Sequence, residues 1–261
     1  GIAVLADGMG GHKAGEVAAQ MAVKFVLEKL KNLALQETSV SITGSQLLEF
    51  VSNTISSSNS EIFRAQEEEE AYKGMGTTIV AALIRGSHIF VGHVGDSRMY
   101  LYRERTVRRL TKDHSLVQDL IDRGFYTERE ARSANVGHVV TRAMGTREDV
   151  EVDTKAVELQ PYDLLVLCSD GLTDMVSDWQ IAETITDSIS DLDRAAQNLI
   201  DLANQNGGKD NITAILVSAD DEAPVKKQEF DTVPINTEEI IKTNLFKKLI
   251  SLIKRTFKIF F

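Results

Sequence analysis

Apolar residues recur at helical spacing in two long stretches near the start of the chain. In 14–35, residues such as Val17 and Met21 lie on one face with polar residues between them, which predicts an amphipathic helix. A polar loop, 36–44, leads into a second helical stretch that runs from Ser45 to about Tyr72. Both helices need a partner for their apolar faces.

Two further helices are predicted near the end of the folded region. Ser177 or Asp178 can cap the first of them, which contains Trp179. The second covers 192–206 and ends at the pair Gly207-Gly208, a common helix stop.

Elsewhere the pattern changes to short, nearly continuous apolar runs, which are typical of buried strands. The turn Arg85-Gly86-Ser87 separates two of these runs and predicts a hairpin. The predicted strands are, in chain order, 2–6, 77–84, 89–94, 99–102, 107–110, 139–142, 150–157, 163–168 and 212–218.

Strands that are apolar on both sides must be covered on both faces. The helices and strand groups follow one another without a regular strand-helix-strand rhythm, and no internal repeat is visible. The pattern therefore predicts an α+β sandwich whose outer faces carry helices. Residues 111–138 are polar and only locally helical, and we expect them to form a flap-like excursion from this core.

Composition limits the class of protein without deciding it. The 261 residues are 43 % hydrophobic and 26 % charged, which suits one large globular domain. Residues 242–261 carry six Lys or Arg and no acid, so removing their +6 from the net charge of −10 leaves −16 for the rest. This acidic body argues against nucleic-acid binding. The single cysteine, Cys168, and the lack of a signal peptide or of a long apolar span predict a cytoplasmic protein.

Four aspartates share one local context. Asp7, Asp96, Asp170 and Asp210 each lie at the end or start of an apolar strand with glycine nearby. If these strand ends meet on one rim of the sandwich, several carboxylates converge, and a divalent cation is the natural compensation. Oxygen ligands without a His/Cys cluster favour Mg²⁺ or Mn²⁺ over zinc.

At this point the sequence resembles a known family, the bacterial metal-dependent serine/threonine protein phosphatases of type 2C. The resemblance covers about residues 2–219. It rests on five short motifs in a fixed order, namely Asp7-Gly8-Met9-Gly10-Gly11, Gly74-Met75-Gly76-Thr77-Thr78, Val94-Gly95-Asp96-Ser97-Arg98, Ser169-Asp170-Gly171 and Asp210-Asn211.

The resemblance implies a four-layer α-β-β-α fold, in which helix pairs cover a central antiparallel β-sandwich. It also implies hydrolysis of phosphoserine and phosphothreonine in proteins at a dinuclear Mg²⁺ or Mn²⁺ centre, without a protein nucleophile. Asp7 would bridge the two ions, the Gly8 carbonyl would contribute, and Asp170 and Asp210 would complete the second site. Asp96 would help to hold a third ion.

The same resemblance implies phosphorylated proteins as substrates and an opposing serine/threonine kinase. We expect a monomer. The family's N-terminal motif, an Arg that grips phosphate with acidic residues nearby, would lie upstream of Gly1. We therefore expect lower activity from this chain than from one extended by about 30 upstream residues. A catalytically silent module that binds phosphoproteins or regulates a partner is the alternative function, and the retained aspartates count against it.

Several other residues have two interpretations. Cys168 as a phosphatase nucleophile would want an Arg six positions later, where Asp174 stands, so core packing is favoured. His93 is expected to be structural, and Arg98 to pair with core carboxylates rather than phosphate. His138, beside the excursion, is a candidate for contacting substrate.

The end of the chain predicts a separate element. A polar linker, 220–237, precedes a segment, 238–261, whose apolar and basic residues fall on opposite sides at about 100° per residue. A basic amphipathic helix is typical of peripheral attachment to the inner face of a membrane through residues 242–261. Docking on the acidic domain itself or on a partner protein fits equally well. Sedimentation with anionic vesicles distinguishes these interpretations, because absence of binding would end the membrane hypothesis.

Overall fold

The computed structural model describes residues 1–10, 14–35, 42–127, 130–131 and 139–218. Its strands, in chain order, are β1 (Ile2–Leu5), β2 (Gly8–Met9), β3 (Gly76–Thr77), β4 (Ile79–Arg85), β5 (His88–Val94), β6 (Arg98–Arg103), β7 (Thr106–Arg109), β8 (Asp153–Glu158), β9 (Leu164–Cys168) and β10 (Ala214–Ser218). Its helices are α1 (Ala14–Leu35), α2 (Gly44–Glu68), α3 (Leu116–Asp122), α4 (Asp170–Thr173), α5 (Asp178–Asp187) and α6 (Leu192–Gln205).

The strands form two four-stranded antiparallel sheets and one short ribbon. The first sheet has the order β1-β4-β5-β8, the second has the order β10-β9-β6-β7, and β2 pairs with β3. The predicted hairpin is β4-β5, with Arg85 opposite His88 across the turn. The ribbon was not predicted, because glycine-rich segments carry no strand signal.

Alternate residues of the strands face different layers of the core, as the period of two requires. In β4, Ala81 and Leu83 pack with α1 and α2, whereas Val80 and Ala82 pack against the second sheet. On the far side, β9 residues such as Val166 pack with residues of α5 and α6. This arrangement confirms the predicted α+β fold class and its α-β-β-α layers.

Some predicted boundaries were wrong. The expected strand 139–142 is reduced to a single bridge between Ser115 and Val140, and Val139 is 52 % exposed. The expected strand 150–157 begins only at Asp153. α2 ends at Glu68, followed by a 3-10 turn over Glu70–Tyr72, consistent with the unfavourable interaction of an acidic run with a helix C-terminus.

Candidate metal centre

The topology brings the four predicted aspartates to one edge of the sandwich. β1 and β5 are both antiparallel to β4, so they run in the same direction and their final residues lie at the same edge. Asp7 and Asp96 follow these two strands. In the second sheet Cys168 pairs with Ala214, so the end of β9 and the start of β10, with Asp170 and Asp210 beside them, also coincide.

The electrostatics of Asp7 show that all four carboxyl groups interact. Burial raises the pKa of Asp7 to about 7, and the charges of Asp170, Asp210 and Asp96 add to this rise. Burial likewise raises the pKa of Asp96 to about 7, with further contributions from Asp170 and Asp113 that outweigh the attraction of Arg98. The edge therefore has an excess of negative charge.

Asp170 contains a buried polar atom that lacks a partner. Its Oδ1 atom has no hydrogen-bond partner among the described residues. A buried carboxylate oxygen without a donor is costly unless a cation compensates it. Together with the raised pKa values of Asp7 and Asp96, this orphan oxygen fits a hard divalent cation coordinated by oxygen atoms.

Close main-chain packing brings Asp170 and Asp210 together. A Cβ at Gly171 would lie 2.3 Å from the carbonyl oxygen of Asn211, so only glycine allows this approach. The Ser169 hydroxyl donates to the same carbonyl at 3.2 Å and accepts from the Thr213 N–H at 3.1 Å. Asp210 itself is exposed, and its Oδ1 accepts from the Asn211 N–H at 2.7 Å.

The main chain of Asp7 is held by two threonines. Its carbonyl oxygen accepts from the Thr78 N–H and from the Thr77 hydroxyl, both at 2.8 Å. Its N–H donates to Thr78 Oγ1 at 3.0 Å, and the same oxygen lies 2.8 Å from Ser97 Oγ, next to Asp96. These hydrogen bonds fix the main chain that leads to Gly8. Thr77, Thr78 and Ser97 lie within the motifs quoted above, but their spacing in the sequence did not indicate a role for them.

Two of the structural interpretations are confirmed. The Nε and Nη2 atoms of Arg98 donate to both carboxylate oxygens of Asp113 at 2.7–3.0 Å, as expected for pairing with a core carboxylate. Cys168 is fully buried, and this burial raises the pKa of its thiol to about 12, so it packs in the core as a neutral group.

A second group of potential ligands lies beside this edge. One ligand atom from each of His93, His114 and Asp153 lies within 4.8 Å of the other two. Within the described ranges, no three of the four aspartates bring their carboxylate oxygens this close together. The imidazole rings of His93 and His114 stack with their centroids 4.8 Å apart. Sequence reasoning missed this group because residues 93, 114 and 153 are joined only by the fold.

Hydrogen bonding shows that this second group is not arranged as a metal site. The Gly95 N–H donates to His114 Nδ1 at 3.1 Å, and Nε2 lies 3.0 Å from Arg142 Nη1 and 3.4 Å from Asp153 Oδ1, so both ring nitrogens already have protein partners. Burial lowers the pKa of His114 to about 4, which keeps the ring neutral. Arg142 Nη1 already donates to Asp153 Oδ1 at 2.7 Å.

The remaining candidate, His138, lies outside the described residues.

Comparisons with known proteins agree with this geometry. Residues 1–216 match the family model described as protein phosphatase 2C. The chain is 42 % identical over 219 residues to the serine/threonine phosphatase stp of Listeria monocytogenes serotype 4b, with 84 % of each chain covered.

Solved structures show the same similarity. The serine/threonine phosphatase of S. agalactiae superposes with a TM-score of 0.74 at 39 % identity, covering 84 % of this chain and 87 % of that one. The catalytic domain of the phosphatase PstP, in complex with two manganese ions, gives a TM-score of 0.71 at 37 % identity, covering 83 % and 86 %. The chain therefore belongs to the protein phosphatase 2C family, the metal-dependent protein-serine/threonine phosphatases.

Proposed function

We propose that this chain hydrolyses phosphoserine and phosphothreonine in proteins at a dinuclear Mg²⁺ or Mn²⁺ centre. Asp7, the carbonyl oxygen of Gly8, Asp170 and Asp210 would hold the two ions, and Asp96 would help to hold a third. The observation that carries this proposal is the electrostatic interaction of Asp7 with Asp170, Asp210 and Asp96, together with the buried Oδ1 of Asp170 that lacks a hydrogen-bond partner. The names of the relatives support the substrate class, and the manganese complex of PstP supports the metal.

The spacing of the aspartates is compatible with such ions. Mg²⁺ retains several waters and takes only one or two carboxylates from a protein, so three carboxylates need not crowd within 4.8 Å. When bound, the cations lower the pKa of a water that attacks phosphorus and offset negative charge on the phosphoryl oxygens. The chain's own contribution is to orient the carboxylates.

Asp7 and Asp170 are positioned in different ways. Asp7 has its main-chain N–H and carbonyl fixed by Thr77 and Thr78, so its carboxyl group projects from a rigid segment. Asp170 lies in the first turn of α4, directly after Ser169, which is bonded to the segment before β10. Such preorganised ligands reduce the rearrangement needed when charge develops during phosphoryl transfer.

The test is Mn²⁺-dependent phosphate release from a phosphothreonine peptide and from a small aryl phosphate. We expect the full chain to be active, and Asp170→Asn to lower the rate by at least about 100-fold, because the orphaned oxygen would be part of the metal site. The matched control is Asp201→Asn, an exposed aspartate of α6, which should retain the wild-type rate.

The outcome also decides between the proposed enzyme and a silent phosphopeptide-binding module. A chain that binds the phosphopeptide in the presence of Mn²⁺ but releases no phosphate would contradict the enzymatic function and support the silent module. Equal rates for Asp170→Asn and the wild type would refute the assignment of the site.

A further inference from the structure

One buried histidine holds the main chain immediately before Asp96 at two points. The N–H of Gly95 donates to His114 Nδ1 at 3.1 Å, and the N–H of His114 donates to the carbonyl oxygen of Gly95 at 2.9 Å. The His114 side chain is only 8 % exposed, so water competes little for these bonds. Both main-chain polar groups of Gly95 are thus bonded to the same residue.

The backbone of Gly95 has a conformation that glycine adopts far more readily than other residues. Its φ of +107° lies in a region that side-chain-bearing residues rarely adopt, and a Cβ there would lie 2.6 Å from Cβ of Thr78. After Asp96, the Ser97 hydroxyl is bonded to Thr78 Oγ1 at 2.8 Å. Asp96 therefore lies between two fixed points, one made by His114 and the other by Thr78.

His114 also joins this segment to the chain around Thr141. Its carbonyl oxygen accepts from the Thr141 N–H at 2.8 Å. On the other side of the ring, Nε2 lies 3.0 Å from Arg142 Nη1 and 3.4 Å from Asp153 Oδ1, and Arg142 Nη1 donates to Asp153 Oδ1 at 2.7 Å. These contacts, together with the stacked ring of His93, fix the orientation of the His114 ring.

We propose that His114 is a positioning residue that fixes Asp96 for metal binding through the hydrogen bond from the Gly95 N–H to His114 Nδ1. This inference rests on the proposed function, since it assumes that Asp96 helps to hold an ion. His114 does not touch the ion or the substrate. It acts through the main chain of Gly95, and the tautomer that accepts this hydrogen bond leaves no lone pair on Nε2 for a metal.

Two amide variants test this role in the full chain. In His114→Asn the Oδ1 atom can occupy the position of Nδ1 and accept from Gly95, whereas in His114→Gln the amide reaches the position of Nε2. Titration calorimetry measures the dissociation constant of Mn²⁺ at the weakest binding site. This constant should rise about 10–100-fold in His114→Gln and stay within about threefold of the wild-type value in His114→Asn. Circular dichroism checks that both variants are folded.

Several results would overturn the inference. Equal Mn²⁺ affinities of the Gln variant and wild type, or equal losses in both amide variants, would show that the Nδ1 acceptor does not matter. Asp153→Asn is the control for the neighbouring cluster, and a loss there as large as in His114→Gln would assign the effect to that cluster instead. If the wild type binds no Mn²⁺, the proposed function is overturned together with the inference. If the wild type binds Mn²⁺ and only the expected difference between the variants is missing, the inference alone fails.

One further measurement uses only the wild type and therefore does not depend on the folding of a variant. Nitrogen-15 NMR of the histidine side chains should show His114 as the neutral tautomer with its proton on Nε2 and Nδ1 accepting a hydrogen bond. A proton on Nδ1 would overturn the inference, because that nitrogen could then not accept from Gly95.

Discussion

Thr78 joins the two segments that carry Asp7 and Asp96. Its hydroxyl accepts from the Asp7 N–H and is bonded to the Ser97 hydroxyl, and the Thr78 side chain is buried. Spacing alone could not reveal this, because Thr78 is 71 positions from Asp7 and 19 from Ser97. The sequence indicated which acids matter, whereas the hydroxyl groups that orient them become visible only when the strands are paired.

Thr78→Val should impair catalysis while preserving the shape of the side chain. The valine side chain cannot accept from the Asp7 N–H or bond to the Ser97 hydroxyl, so both acidic segments lose a constraint, and we expect Mn²⁺-dependent activity to fall roughly 10–100-fold. Thr78→Ser keeps the hydroxyl and should stay within a few-fold of wild type. Steady-state kinetics with an aryl phosphate measures both, and a valine variant as active as the serine variant would contradict this role.

At the scale of elements, α2 supports the loop 145–148. Buried Asn59 donates from Nδ2 to the carbonyl oxygens of Arg147 and Glu148 at 3.0 and 2.8 Å, and its Oδ1 accepts from the Gly145 N–H at 2.7 Å. Met144, beside Gly145, exchanges two main-chain hydrogen bonds with Thr77, whose hydroxyl holds Asp7. A helix that touches no candidate ligand therefore stabilises the loop next to the centre.

Asn59→Ala should lower the free energy of unfolding by roughly 2–4 kcal/mol, because three hydrogen bonds are lost and a buried N–H remains without a partner. Asn53→Ala is the matched control, since Asn53 lies on the exposed face of the same helix. Its effect should stay within about 0.5 kcal/mol. Urea denaturation compares the two, and equal losses would show that the contacts of Asn59 with the loop add no stability.

Helix and strand positions were largely predictable because long apolar patterns determine them. α1 matches its predicted range, and both sheets contain the strands expected from apolar runs. The prediction failed at 139–142, where Arg142 is drawn towards Glu151 and Asp153 and only one bridge forms. A short apolar run predicts a strand, but it cannot show whether another strand will be available to pair with it.

For the whole molecule, the most important consequence of the fold is the accumulation of carboxylates at one edge. The four aspartates were predicted from their places at strand ends, but only the pairing of the strands shows that these ends lie at one edge. Their mutual electrostatic effects required the structure, as did the His93, His114 and Asp153 group. Close packing such as that of Gly171 on Asn211 depends on residues 40 positions apart in the chain.

Crowding of these carboxylates predicts a pH-dependent stability of the metal-free protein. Asp96 has a raised pKa of about 7, so between pH 4 and 7 its folded form binds more protons than its unfolded form. Its contribution to stability therefore decreases as the pH rises through about 7. Asn mimics the protonated carboxyl, so metal-free Asp96→Asn should be more stable than wild type by roughly 1–4 kcal/mol at pH 8, with the difference shrinking towards pH 5.5.

Thermal unfolding in the presence of a chelator measures this difference. His93 and His114, whose pKa values are lowered first of all by burial, change stability in the opposite direction, but they are common to both proteins and cancel in the comparison. A difference that stays constant from pH 5.5 to 8 would contradict the raised pKa of Asp96.

The domain boundaries at the end of the chain stay predictions. The linker 220–237 and the basic segment 238–261 lie outside the described residues. None of the helices in the described part of the chain combines the length and the apolar character needed to cross a bilayer. The predicted attachment through 242–261 therefore depends on the sequence pattern alone, and vesicle sedimentation is its test.

The central claim is that Asp7, Asp96, Asp170 and Asp210 form one divalent-cation centre, and counting bound ions tests it most directly. Electron paramagnetic resonance of free Mn²⁺ during a titration gives the number bound per chain. The wild type and the surface control Asp201→Asn should each bind at least two ions tightly, and Asp170→Asn should lose at least one of them. Absence of tight binding by the wild type, or the same number of ions in Asp170→Asn, would contradict the claim.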